Sequence, residues 1–226
     1  MGSRTIRKHK KGEPAPYDYY ETPLWTTLAI VPWLPDAVRV CDPCAGRGAI
    51  LRALQYGYKP SFALGELQPK FYGFEIQQDL VSFEPGQPDV QIADALATDW
   101  GKPDLVVMNP PYSQAETFVR RALAELAPRR GTLAVLLRLG FVATQTRRLF
   151  WKGRQADLYV LERRPNFRGS GCDASEYAWF MFGPGCLGRW MRLEAERPSV
   201  QGYKRPEKIL AQVEESVRVV PIVRMA

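Results

Sequence analysis

The sequence predicts an α/β fold, a mostly parallel sheet with crossover helices in one domain, on three observations. Short apolar, β-rich runs alternate with helical patterns along most of the chain. A glycine-bearing turn, Asp42-Pro43-Cys44-Ala45-Gly46-Arg47-Gly48, follows one such run and opens a helix. The next two runs end on acids, Glu75 and Asp94, where a doubly wound sheet places ligand-binding residues. A chain of 226 residues with 46% hydrophobic content is the size of one such domain.

In chain order, residues 1 to 16 carry Arg4, Arg7, Lys8, Lys10 and Lys11 before Pro14 and Pro16, and read as a flexible basic arm. A helix is expected over 24 to 31, a strand over 38 to 42 and a helix over 49 to 56. Strands follow over 71 to 76, 90 to 93 and 105 to 108, with a helix over 78 to 83 between the first two. The stripe of Phe118, Ala122, Leu123 and Leu126 predicts a helix over 115 to 126, closed by Pro128 and Gly131, before a strand over 133 to 137. The runs Tyr159-Val160-Leu161 and 177 to 182 read as a terminal antiparallel hairpin. The catalytic domain is drawn as 17 to 195. Residues 196 to 226 are drawn as an extension with an amphipathic helix built on Ile209, Leu210, Val213 and Val217.

Charge and composition narrow the function. The 31 Lys and Arg against 24 Asp and Glu give a net charge of +7, which favours a polyanionic partner. No apolar run is long enough to span a membrane and the N-terminus has no signal-peptide core, so a cytoplasmic protein, in a bacterium or a phage-infected cell, with no membrane partner is expected. The one histidine, His9, lies in the basic arm, which excludes mechanisms built on a core imidazole. Cys41 and Cys44 lack the second pair or nearby histidine of a zinc site and read as small core residues, so no metal is expected.

The strongest chemical signal is Asn109-Pro110-Pro111-Tyr112 directly after the strand Asp104 to Met108, where two prolines stop the strand and stiffen the loop. An aromatic amine or amide nitrogen is a poor nucleophile because its lone pair is delocalised. Two fixed acceptors, the Asn109 side-chain oxygen and the Pro110 carbonyl, would favour the pyramidal nitrogen of a transition state, with Tyr112 stacked on the substrate ring. Upstream, the glycine turn would admit a nucleotide-like ligand, Glu75 would bind its ribose and Asp94 its exocyclic amine.

These residues resemble the amino-methyltransferases, whose hallmark is Asn, Asp or Ser followed by Pro-Pro and an aromatic, with a glycine-containing cofactor loop upstream. The order here looks like the gamma-type arrangement, and Arg164-Pro165-Asn166-Phe167 with Asp173 to Trp179 is similar to small phage-type adenine methyltransferases. The resemblance implies a Rossmann-like class I fold dependent on S-adenosylmethionine, with a mostly parallel seven-stranded sheet and a C-terminal antiparallel hairpin. It assigns the methionine part of the cofactor to the segment Tyr20-Glu21-Thr22-Pro23 and to Asp42, Ala45, Gly46 and Gly48, the ribose to Glu75 and the adenine to Asp94. It places the target base between Tyr112 and Phe167 in a catalytic loop of Asn109, Pro110, Pro111 and Tyr112.

The expected reaction is methylation of the N6 amine of adenine, in DNA before RNA. A glutamine of a protein release factor poses the same problem to the same loop and stays an alternative. The cationic residues Arg120, Arg121, Arg129, Arg130, Arg147, Arg148, Lys152 and Arg154 are candidates for phosphate contacts around the cleft. A homodimer stays open as a way of extending the recognition surface.

Overall fold

The computed structural model describes residues 20–61, 68–82, 87–167, 174–194 and 218–221. The basic arm and the C-terminal amphipathic helix predicted above lie outside the described residues. The strands are β1 (Arg39–Asp42), β2 (Lys70–Glu75), β3 (Asp89–Ile92), β4 (Leu105–Met108), β5 (Thr132–Arg138), β6 (Asp157–Leu161), β7 (Tyr177–Phe182), β8 (Trp190–Glu194) and β9 (Arg218–Pro221). The helices are α1 (Leu24–Ile30), α2 (Ala49–Gly57), α3 (Ala115–Leu126) and α4 (Arg148–Trp151).

The strands form one sheet in the order β3-β2-β1-β4-β5-β7-β6-β8-β9. β3 to β5 run parallel through β2, β1 and β4, β7 enters antiparallel between β5 and β6, β8 is parallel to β6, and β9 is antiparallel to β8. Alternation along the central strands makes two cores. Leu105, Val107, Ala134, Leu136, Tyr177 and Trp179 pack on one face with α1 and α2, whereas Val106, Met108, Leu133, Val135, Ala178 and Phe180 pack on the other with α3.

Among the described residues the sheet is mixed and has nine strands, a correction to the expected seven, and the β6–β7 pair is not terminal. β8 was missed because it buries one face only: Met191 and Leu193 are buried, while Trp190 and Arg192 are exposed. That pattern, in a short run broken by charge, resembles a polar connection in the sequence. Where a helix was expected from Gln78 onward, the chain makes a single 3-10 turn, Gln78–Leu80, and residue 83 lies outside the described part. Among the described residues no helix is long and apolar enough to cross a membrane.

One contact fixes the segment that precedes the sheet. Every residue of α1 is buried, and the Trp179 indole N–H of β7 donates to the Thr26 carbonyl at 2.8 Å. Pro32, in the turn after α1, has no N–H to continue the helix. With α1 tied to the sheet in this way, Tyr20 to Pro23 cross above the end of β4.

Candidate active site

β1, β2, β3 and β4 all deliver their carboxyl ends to one side of the sheet, where the strand order reverses between β1 and β4. In doubly wound sheets this is where ligands bind. A cavity of about 400 Å³ opens there, lined by Glu21, Thr22, Asp42, Ala45, Glu75, Asp94, Asn109 and Pro111 among others.

Asp42 closes β1 with only 1% of its surface exposed. Its Oδ1 accepts the Cys44 N–H at 3.0 Å, and its Oδ2 is buried with no partner among the described residues. Burial, and to a lesser degree the charge of Glu75, pushes the carboxyl up to about 8. The Cys44 amide opposes that rise.

Glu75 closes β2 and organises the glycine turn. Its Oε2 accepts the Gly46 N–H at 2.9 Å and its Oε1 the Gln77 N–H at 2.8 Å. The Ala45 N–H donates to the Phe74 carbonyl at 2.9 Å, so β2 and the turn are joined twice. Two glycines are sterically required. Gly48 precedes α2 at φ +76°, and a Cβ on Gly73 would stand 2.5 Å from the Asp42 carbonyl oxygen and 2.9 Å from the Ala45 Cβ. Asp94 is exposed and accepts the Leu96 N–H at 2.9 Å. The turn it starts is held by the Trp100 indole, which donates to the Ala95 carbonyl at 2.8 Å.

Asn109 follows β4. Its Nδ2 donates to Thr22 Oγ1 at 3.0 Å and to the Tyr20 carbonyl at 3.4 Å. Its Oδ1 is buried and has no partner among the described residues. Both acceptors belong to the segment before α1, so the side chain is held with its own acceptor uncommitted in the wall of the cavity.

Tyr112 and Phe167 share an aromatic cluster. Tyr112 has the Tyr20 ring at 5.6 Å, the Tyr177 ring at 5.9 Å and the Arg138 guanidinium over its ring at 4.6 Å. Phe167 packs on Tyr177 at 5.0 Å and on Tyr20 at 6.2 Å. Tyr20 stacks on Tyr112 and meets Phe167 edge-on, and its part in this cluster, like those of Arg138 and Tyr177, is one that the sequence reading missed.

The remaining site candidates stand behind the cavity wall. Pro23 is the N-cap of α1, Pro110 is buried, and Gly46 and Gly48 shape the turn. Thr22 holds Asn109 in addition to lining the cavity. Reading strand ends alone also missed Ile76, 55% exposed, and the buried Phe118, which line the cavity beside Asp94.

Several of the cations expected to contact phosphate are also engaged within the chain. Arg129 pairs with Asp104 at the opposite end of β4, and Arg120 pairs with Glu116. Arg121 is taken up by the Leu96 and Thr98 carbonyls and Glu125, and Arg154 by the Phe150 carbonyl. Spacing along a helix does not reveal which cations are already engaged. Among the described residues no group of three or more His, Cys, Asp or Glu is arranged to hold a metal ion.

No family model and no curated protein matches the chain. Solved structures do. The methyltransferase subunit of a type I restriction-modification system from Streptococcus thermophilus superposes with a TM-score of 0.54 at 16% identity, over 89% of this chain and 56% of that one. A modification subunit assigned to a type I restriction enzyme from Vibrio vulnificus gives 0.55 at 12% identity, over 92% and 57%. A protein described as a class I S-adenosylmethionine-dependent methyltransferase from Listeria monocytogenes gives 0.50 at 14%, over 84% and 68%. The chain therefore spans little more than half the length of the two restriction-system subunits. At these identities the likeness is one of fold: an α/β fold shared with class I S-adenosylmethionine-dependent methyltransferases.

Proposed function

We propose that this chain is a methyltransferase that uses S-adenosylmethionine to methylate the N6 amine of adenine in DNA. The observation that carries the proposal is Asn109, whose amide donor is committed to Thr22 and Tyr20 while its oxygen stays buried and unpartnered at the cavity. The likeness to restriction-system methyltransferase subunits and the net charge of +7 support DNA as the substrate.

The cavity fits the cofactor on its own chemistry. The unpartnered Asp42 Oδ2 suits the cationic amine of a methionine moiety, with Glu21 and Ala45 beside it. Glu75 retains lone pairs for ribose hydroxyls, because each oxygen accepts one backbone N–H. Asp94, Ile76 and Phe118 offer an acceptor and apolar walls for a purine. Bound there, S-adenosylmethionine supplies an electrophilic methyl group.

The chain's own task is to prepare the nitrogen that receives it. Asn109 Oδ1 accepts one N–H of the target amine and the Pro110 carbonyl accepts the other, which turns the lone pair toward the cofactor. The nitrogen gains positive charge as it leaves the plane of the ring, and both acceptors bind that form more strongly than the planar amine. Its proton becomes acidic and departs to water, so no imidazole is needed. The cluster of Tyr112, Phe167 and Tyr177 favours a flat aromatic substrate over a glutamine side chain.

The test is to incubate the protein with methyl-labelled S-adenosylmethionine and, in parallel, unmethylated duplex DNA, structured RNA and a release factor, then to digest each. Label in N6-methyladenine from DNA supports the proposal. Label only in RNA or glutamine keeps the amine chemistry and replaces the substrate.

A further inference from the structure

Arg52 stands on α2 and ties together three segments that border the cavity. Its guanidinium lies 3.8 Å from the Glu21 carboxylate, donates to the Arg47 carbonyl in the glycine turn, and donates to Gln87 Oε1 at 3.2 Å. Its neighbours on α2, Ile50, Leu51, Ala53 and Leu54, take the buried positions and leave Arg52 half-buried at their edge. Glu21 lines the cavity and Arg52 does not.

Glu21 is flanked by the two residues that hold Asn109. The Tyr20 carbonyl accepts the Asn109 amide at 3.4 Å and the Thr22 hydroxyl accepts it at 3.0 Å, so both bonds depend on where the backbone lies on either side of Glu21. The longer bond is near the limit at which a hydrogen bond still holds, and a shift of about a few tenths of an ångström would break it. An amide released from these acceptors can turn over and present N–H groups where an amine needs an oxygen.

We infer that Arg52 is a positioning residue for methyl transfer. By pairing with Glu21 it holds the segment from Tyr20 to Thr22 against the Asn109 amide, and so keeps the Asn109 oxygen turned to the substrate. The inference rests on the amine-methylation reading given above. The pair has side-chain exposures of 20% and 26%, so solvent screens it less than a surface pair. Arg52 thereby joins the glycine turn, on the cofactor side, to the acceptor on the substrate side.

The experiment compares wild type, Arg52→Gln, Arg52→Lys and Glu21→Gln on whichever of duplex DNA, structured RNA or release factor carries the label. It measures kcat, KM, cofactor affinity and the melting temperature of the cofactor-free proteins. Arg52→Gln is expected to lower kcat about fivefold, the scale of one partly buried ion pair, with KM for the labelled substrate near wild type. Arg52→Lys keeps a charge beside Glu21 and should recover most of the rate. Thr22→Val acts on the same amide, so adding it to Arg52→Gln should cost less than the product of the two separate losses. In the cofactor-free protein, Arg52→Gln and Glu21→Gln should lower the melting temperature non-additively. A loss of cofactor affinity with wild-type kcat at saturating cofactor would confine Arg52 to shaping the glycine turn and overturn the inference. Fully multiplicative rate losses with Thr22→Val would overturn it as well. Label only in RNA or glutamine replaces the adenine reading and leaves the Arg52 comparison intact, whereas a wild type that labels none of the three removes both.

Discussion

Thr22 Oγ1 lies 3.0 Å from Asn109 Nδ2 and accepts its hydrogen, joining the segment before α1 to the loop after β4 across 87 residues of sequence. The bond fixes which end of the Asn109 amide faces the cavity. An asparagine free to flip would present a donor as often as an acceptor, and a donor repels the N–H groups of an amine.

Thr22→Val keeps the shape and removes the acceptor. It should lower kcat by about tenfold, the scale of one hydrogen bond, and leave cofactor affinity near wild type. Thr22→Ser should restore most of the rate. Equal losses in kcat and cofactor affinity would show that Thr22 serves the cofactor instead.

Asp42 makes cofactor binding depend on pH. Its carboxyl titrates near 8 in the folded chain, far above its ordinary range, so it is protonated at neutral pH until a cation joins it. Binding of a cofactor carrying an ammonium should release a proton throughout the window from about pH 4 to 8, and affinity should rise with pH across it. Calorimetry in buffers of different ionisation enthalpy reads this directly. A proton count of zero at pH 7 contradicts the placement.

The same shift affects stability with the opposite sign. The unfolded chain ionises Asp42 near pH 4 and the folded chain near 8, so stability falls as pH rises through that window and then levels off. Asp42→Asn cannot ionise and should melt at a higher temperature than wild type at pH 9. The difference should shrink at pH 4.

Gly73→Ala should damage the site from behind. The added methyl would meet the Asp42 carbonyl oxygen at 2.5 Å, so β2 and the turn must separate. Overpacking of this kind costs about 1–3 kcal/mol, and loss of cofactor affinity should accompany the drop in melting temperature. An undisturbed cofactor affinity would mean the turn tolerates the shift.

What was legible in the sequence follows from which signals are local. β4, α3 and β7 have the boundaries their periodicity predicts, because each is wholly buried or carries a full apolar stripe. β8 carries alternation in too short a run, and its partner β6 lies far upstream. In the site, Asp42, Glu75 and Asn109 announce themselves by standing at strand ends. Tyr20, Arg138 and Tyr177 do not, since their roles depend on three separated segments meeting around the Tyr112 ring.

The most direct test of the central claim is a single-turnover measurement of methyl transfer to adenine by Asn109→Ala, with cofactor and DNA affinities determined on the same preparation. The account expects both affinities to stay near wild type while the transfer rate falls by about 10²–10³-fold, since the lost acceptor acts mainly in the transition state. A variant that transfers methyl at the wild-type rate, or one that loses rate only in proportion to lost binding, would contradict it.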